Sequence, residues 1–453
     1  MRARAEASLL ASFAELERIA ERALKLSDAD ETEVSVDATA DALTRFANNA
    51  VHQHVAEHSV AISVRAALDG RTARVTTNKS DEESLRRAVT AATHLARMQP
   101  KNPGLLPMPG RQKYPPMKRF FEETLAAQPA VRARVVKRVV EGCAESNQTA
   151  AGTFSTGGTR SLLANSKGLL ARHEQTKAEF SITVMESDSS GWAKANAASL
   201  EAIDPLALAE RAREKAEAAR RPREIAPGKY TVILEPAAAL DIIGFLFYDF
   251  SATAVADQRS CFTGRMGKKL FGEHITLCDD VTHPLHLGPT FDGEGMPRQK
   301  VVLIDRGVPR NLVYSRAAAK KAGAKPSGHG LALPNEWGEA AFNLVMAGGN
   351  SSLEKMLATT ERGICVTRLW YIREVDPYEK IMTGMTRDGT FLVEDGRIVG
   401  GIRNMRFNQS ILELLANVLE LGPAVRASGE EAYDMVLPPM KVRDFHFTEV
   451  TKF

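Results

Sequence analysis

The chain has 453 residues, 59 of them Lys or Arg and 56 Asp or Glu, for a formal net charge of +3, and 44% are hydrophobic. That length exceeds what one core usually holds, so two or three domains are expected. The balanced charge excludes an electrostatic case for nucleic acid, which needs clustered Lys and Arg. No window approaches ~18 uncharged apolar residues, so no membrane span is expected either.

In chain order, Leu9, Leu10, Phe13, Leu16, Ala20, Ala23 and Leu24 recur at helical spacing between Ala7 and Leu26, with Glu and Arg on the other face. Arg2 and Arg4 precede this stretch, but Ser12, Glu15, Glu17 and Arg18 interrupt it; no signal peptide is read, and a cytoplasmic location is expected. Glu33–Val36, Ala42–His54 and Val60–Arg65 read as strands, with Asp69-Gly70 as a hairpin turn before Thr72–Thr77. Ser80 with Glu83 three residues on reads as a capping box that opens a helix to about Met98. Pro100, Pro103, Pro107, Pro109, Pro115 and Pro116 then forbid regular helix or central strand, which leaves a linker or a wrapping arm.

Beyond it the pattern predicts a helix over 128–146, strands over 149–186 with turns at Gly157-Gly158 and Asn165–Gly168, and a helix over 204–220. From Tyr230 onward short β-rich runs alternate with Gly and Asp turns, and helices are expected near 236–256, 315–322 and 409–421. The fold class is α+β. An N-terminal α+β domain (1–99) and a Pro-rich connector with a central α/β portion (100–226) carry amphipathic helices on antiparallel strands; a β-rich C-terminal domain (227–453) follows.

Several constellations bear on chemistry. Cys143, Cys261, Cys278 and Cys365 show no CxxC pairing and read as reduced, small hydrophobes. The basic runs at Arg132-Ala133-Arg134, Lys137-Arg138 and Arg220-Arg221 read as solvated helix faces. His52 and His54 share a strand face, but no carboxylate or cysteine at matching spacing joins them to complete a metal site. His283 and His286 flank Pro284 in a shaped loop. Ser251, Ser260 and Ser351 lack a G-x-S-x-G elbow. Phe291-Asp292-Gly293-Glu294-Gly295-Met296-Pro297 is the most specific segment. Its acids and glycines suit either a ligand cleft or a tight loop whose carboxylates accept backbone N–H bonds. Arg259, Arg265, Arg298 and Arg368 have the chemistry for bidentate recognition of a peptide carboxylate, and surface pairing explains each equally well.

Four long segments in order, VILEPAA at 232–238, FDGEGMPRQKVVLIDRGVPRNLVYSR at 291–316, SLEKMLATTERGICVTRLWYIREVDP at 352–377 and FLVEDGRIVGGIRNMRFNQSILELLANV at 391–418, closely resemble the TldD/PmbA family, with TRFANN at 44–49 in support. In the TldD type of subunit, the helix after the corresponding strand and Pro carries His-Glu-x-x-x-His, and a Cys near the C-terminus is the third metal ligand. The resemblance puts Gly244 and Asp249 at the histidine positions and Phe245 at the general base, and Val436–Met440 contains no cysteine. It implies a TldE-like, non-catalytic subunit without catalytic residues or cofactor of its own, paired with a zinc-bearing TldD-like subunit and helping to bind unfolded peptide. Phe291, Asp292, Gly293, Glu294, Arg298 and Arg368 are the cleft candidates, and aromatic side chains are expected to fill the lost metal site. The alternatives are a self-associating, peptide- or ligand-binding homodimer, or an atypical metallopeptidase using Asp249, Asp292 and Glu294, whose oxygens suit Mg or Mn better than Zn.

Overall fold

Ser12 opens the first helix, α1 (Phe13–Lys25): its backbone N–H donates to Glu15 Oε2 at 2.6 Å and its hydroxyl accepts from Glu15 N at 3.3 Å. This reciprocal cap ends the helix upstream at Ser12, short of the predicted start. The computed structural model describes residues 9–451, so Ala7 of that prediction lies outside the described residues. α1 buries Leu16, Ile19, Ala20 and Ala23 against a six-stranded antiparallel sheet.

That sheet runs β3 (Arg71–Thr77), β2 (Ala50–Leu68), β1 (Glu31–Ala47), β4 (Thr149–Asn165), β5 (Leu170–Met185) and β6 (Ser190–Ala197). The strand predicted over Ala42–His54 is instead the meeting of β1 and β2. Asn48 and Asn49, at φ +49° and +56°, reverse the chain between them, a left-handed conformation that Asn tolerates. Gly157-Gly158 is no turn but lies inside β4, opposite Asp41 and Ala40. A Cβ on Gly157 would fall 2.3 Å from Asp41 Oδ1 and 2.7 Å from Ala40 O, so glycine is there for close approach. Strands from 31–77 and from 149–197, on either side of the proline segment, thus build one continuous sheet.

Four helices cover a single face of it: α1, α2 (Glu82–Met98), α4 (Pro129–Glu145) and α5 (Pro205–Ala218), with the one-turn α3 (Glu122–Leu125) beside them. Asp81, not Ser80, caps α2, accepting from Ser84 N at 2.9 Å. Even-numbered positions of β1, β4 and β5 point to the helices, giving one apolar cluster around Val34, Ile62 and Leu162 and another around Phe46, Phe154 and Phe180. The odd-numbered positions of these strands and the even-numbered ones of β6 face the C-terminal half, where Asn196 donates to Ser428 Oγ and Asp434 Oδ2, both at 2.9 Å, and Lys194 to Gly429 O at 3.0 Å.

In the C-terminal half, pairings close on themselves. Arg362–Asp376 lies between β7 (Gly228–Leu234) and Ile381–Glu394; the latter pairs with Met405–Ser410, which pairs with Met440–Val450, which returns to β7. This five-stranded ring has no open edge of its own. Alternate residues of β7 serve two cores: Val232 and Leu234 enter the large one, Ile233 a small one with Met356, Cys365 and Phe391. A second sheet, centred on Leu277–Asp279 and Leu344–Met346, packs on the other side of α6 (Pro236–Ile243), whose residues 238–243 are all buried.

The helices expected at 236–256 and 409–421 are both shorter. The first breaks into α6, a 3-10 turn over Gly244–Phe247 and α7 (Ala252–Ala256), because the Ser251 hydroxyl accepts from Ala254 N and starts a new helix. The second is Ile411–Ala416, after which Val418–Leu421 leaves as a strand beside Met440–Val450. The proline segment is the wrapping arm: Arg316 donates to Pro107 O, Asn165 to Pro109 O and the Tyr114 hydroxyl to Gly295 O at 2.8 Å. Further along, Arg119 donates to Val281 O and Gly288 O. Gly157→Ala should lower stability by about 1–3 kcal/mol, since the Ala40 carbonyl is backbone and cannot swing away. Urea unfolding measures it, and an unchanged midpoint would contradict the close approach.

Candidate functional site

The end of α6 is held by one carboxylate. Asp241, fully buried, accepts Leu369 N at 3.2 Å on Oδ2 and Glu430 N and Glu431 N at 3.1 and 3.2 Å on Oδ1. Burial pushes this carboxyl up to about 7, and the three N–H groups pull the other way. Glu431 repeats the device from the loop side, accepting Tyr371 N at 2.7 Å and Ile372 N at 3.1 Å. There the strand shifts register between Trp370 and Arg373, and Tyr371 sits at φ +55°, a strained value for an aromatic residue. Together the two carboxylates lay loop 429–433 across the last turn of α6.

Gly244 lies under that loop. A Cβ there would meet Ala432 Cβ at 2.5 Å, so the position has no room for a histidine while the loop stays in place. The loop and position 244 meet through the small apolar side chain of Ala432. Phe245 and Phe247 are half-buried, so they do not plug the site as expected. They line, with Glu430, Glu431, Ala432 and Tyr433, a cleft of about 390 Å³. Phe247 stacks on Phe342 (5.4 Å between centroids, 18°) and meets Tyr433 edge-on at 5.9 Å. Tyr433 and Trp337, at the ends of this aromatic row, are 60% and 58% exposed.

Asp249 points elsewhere. Its Oδ2 is 2.6 Å from Lys380 Nζ, its Oδ1 accepts Cys261 N at 3.0 Å, and Lys380 also donates to Glu374. Burial raises the Asp249 carboxyl and Lys380 opposes it; burial works against the Lys380 ammonium too, but its two carboxylate neighbours outweigh it and hold it charged. Both oxygens are thereby committed. Among the described residues no group of three or more His, Cys, Asp or Glu is arranged to hold a metal. Gly244 and Phe245 have no ligand atom, so the residues present do not fit zinc, and the oxygen-only set of Asp249, Asp292 and Glu294 is not assembled.

In the Phe291–Pro297 segment the two acids differ. Asp292 accepts Glu294 N and Met296 N on Oδ1 and Gly330 N at 2.7 Å on Oδ2, which makes it the keystone of a tight loop. Phe291 is buried against the Tyr114 ring, and Gly293 backs onto Leu331-Ala332 backbone. Glu294 accepts Arg316 N at 2.9 Å and borders a smaller cleft of about 200 Å³ formed with Leu105, Leu106, Leu331 and Leu333; burial raises its carboxyl to about 7. Arg298 donates to Phe291 O. Arg368 is bound to Asp388 between the Trp192 and Trp370 rings, 5.0 and 5.2 Å away, so its fork is not free for a peptide carboxylate. None of these residues lines the cleft at Gly244. Neither do His283 nor His286, whose Nε2 is 3.1 Å from Leu344 O.

Sequence reasoning missed Asp241, Glu430, Glu431 and Tyr433. An aspartate inside the apolar run AAALDIIGF was the available signal for the first. It also missed a Ser327–His329–Asp279 chain, with Oγ to Nδ1 and Nε2 to Oδ1 both 2.9 Å. Its residues are buried, and Ser327 Oγ accepts Tyr314 N, so the chain cross-braces the Gly330 loop and exposes no nucleophile.

With this geometry in place, comparison with known proteins defines the class. Three family models of the PmbA/TldA metallopeptidases match in chain order: domain 1 over 32–96, the central domain over 117–220 and the C-terminal domain over 227–449. The chain belongs to the PmbA/TldD family. It is 24% identical over 281 residues to a Methanothermobacter thermautotrophicus protein named metalloprotease, the match covering 58% of this chain and 60% of that one. Against metalloprotease PmbA of Escherichia coli O157:H7 it is 23% identical over 322 residues, 68% of each. The fold is that of TldE from Thermococcus kodakarensis, with TM-score 0.86, 22% identity and coverage of 95% of this chain and 99% of that one. A Thermotoga maritima MSB8 structure described as a modulator of a DNA gyrase matches with TM-score 0.84, 20% identity and coverage of 95% and 100%.

Two outcomes follow from the carboxylates. Glu294 has a folded pKa near 7, above its unfolded value of about 4.3, so its contribution to stability is fully present below pH ~4 and is lost as pH rises through 7. Glu294→Gln, which keeps the oxygen facing Arg316 N, should therefore raise Tm at pH 8, by about 1–3 kcal/mol of stability, and converge with wild type near pH 4.5. Gly244→His should displace loop 429–433 and lower stability by about 1–3 kcal/mol; a melting temperature equal to wild type would show that the loop yields freely.

Proposed function

We infer that this chain is the non-catalytic, TldE-like subunit of a cytoplasmic metallopeptidase that processes unfolded peptides, with the metal and its chemistry in a TldD-like partner. One observation carries the reading: at the position of the family's metal helix, Gly244 is closed by Ala432, Phe245 offers a ring, and Asp249 is spent on Lys380 and Cys261 N. A site that lost its ligands yet kept an open cleft is suited to holding a chain that another subunit cuts. Among the described residues, no helix is long and apolar enough to cross a membrane.

The same cleft in a homodimer without peptidase activity is the second reading. It is favoured by the aromatic row itself, which needs no metal-bearing neighbour to offer a peptide or ligand apolar contact.

The test mixes purified chain with a TldD-like subunit from the same cell and follows cleavage of an unfolded peptide. Activity should need both, disappear when the partner's His-Glu-x-x-x-His is mutated, and survive in this chain's Asp249→Asn. Elemental analysis of this chain alone should find far less than one zinc per molecule. Cleavage proportional to this chain's own concentration would overturn the proposal, and a stable homodimer with no such partner would favour the second reading.

A further inference from the structure

The cleft at Gly244 has a chemistry that says what it takes. It is lined by Gly244 and Ala432, by the half-buried rings of Phe245 and Phe247 and by the exposed ring of Tyr433. Its volume of about 390 Å³ is in the range of ligand clefts. The charged groups that line it are both acids, Glu430 and Glu431, and no basic side chain lines it.

Their basic neighbours sit outside the lining: Lys194 Nζ is 3.4 Å from Glu430 Oε1, and Arg373 Nη1 is 3.7 Å from Glu431 Oε2, with Arg373 lying over the Tyr371 ring. Lys194 is also shared with Glu179 and donates to Gly429 O, which ties it to the sheet side. Glu431 is fixed by the N–H groups of Tyr371 and Ile372, while Glu430 is exposed at the rim.

We propose that this cleft is a side-chain pocket for a Lys or Arg residue of an extended peptide, the aliphatic stem lying on Phe245 and Phe247 and the cationic head reaching Tyr433 and Glu430. A long basic side chain is apolar along its stem and charged at its tip, which matches half-buried rings combined with an exposed carboxylate. The ring faces attract a cation in their own right. An acidic side chain meets two carboxylates there, and a norleucine fills the walls but leaves the rim unanswered. The assignment rests on the peptide-binding reading above and adds which residue of the peptide this subunit selects.

The experiment uses the chain purified from its own cells with whatever subunit accompanies it. Dye-labelled, end-capped pentapeptides Gly-Ala-X-Ala-Gly, with X as Arg, norleucine or Glu, are titrated by fluorescence polarisation at low and moderate salt. Arg should bind tightest and Glu weakest, with the Arg advantage shrinking as salt rises. Tyr433→Ala and Glu430→Gln, both at exposed positions that leave the core intact, should each weaken the Arg peptide by about two- to fivefold, and Tyr433→Phe should restore it. Neither substitution should weaken the norleucine and Glu peptides comparably. Equal binding of all three peptides, or Arg binding indifferent to both substitutions, overturns the pocket while the peptide-binding reading stands. No binding of any peptide overturns both.

Discussion

Everything around the cleft depends on a carboxylate buried inside an apolar helix. Asp241 receives three backbone N–H groups, one from the strand at Leu369 and two from Glu430 and Glu431. Without such partners a buried carboxyl is strongly unfavourable, so these bonds decide where the loop lies. Glu431 then caps the irregular step at Tyr371 and Ile372, and the loop lowers Ala432 onto Gly244. Strand bulge, loop and helix end are one unit, and the cleft is the space it leaves beside the aromatic row.

The charged groups near this unit are arranged for cross-bracing. Lys380 ties Asp249 to Glu374, Asp388 binds Arg368 between two indoles, and His329 joins Asp279 to Ser327. Ion pairs as buried as these stabilise weakly against apolar replacements, yet breaking one partner leaves an uncompensated charge, so each fixes geometry more than it adds stability. Asp292 does the same with backbone donors alone. A metal site needs ligands held but unspent; Asp249, Asp279, Asp292 and Asp388 are spent on the scaffold.

The two halves of the molecule meet where the helix-free face of the sheet reaches the loop over the cleft. Asn196 and Lys194 grip residues 428, 429 and 434, and Arg426 binds both Asn196 and Asp434. The proline arm strengthens this junction from outside, trading regular structure for carbonyls that Arg316 and Asn165 can reach. Lys194 of the sheet also reaches Glu430, at the rim of the cleft, at 3.4 Å.

Periodicity, caps and family motifs made much of this legible from residues alone. The 3.6-residue repeat located the helices, alternation located the strands, and the lack of a ligand side chain at Gly244 and Phe245 is a property of residue type that no fold can alter. Local rules failed where long-range partners decide. Gly157-Gly158 reads as a turn until Asp41 and Ala40 lie against it, the helix after Pro236 reads as continuous until Ser251 caps a new one, and Asp249 reads as a stray ligand until Lys380 arrives from 131 positions away in sequence. The two acids of Asp-Gly-Glu are indistinguishable in sequence, yet one is filled by N–H groups and the other borders a cleft. Sequence alone determined which side chains stand at 244, 245 and 249, because composition decides which atoms are present; only the tertiary structure decided what those groups do, because a side chain's role is set by the partners that folding brings to it.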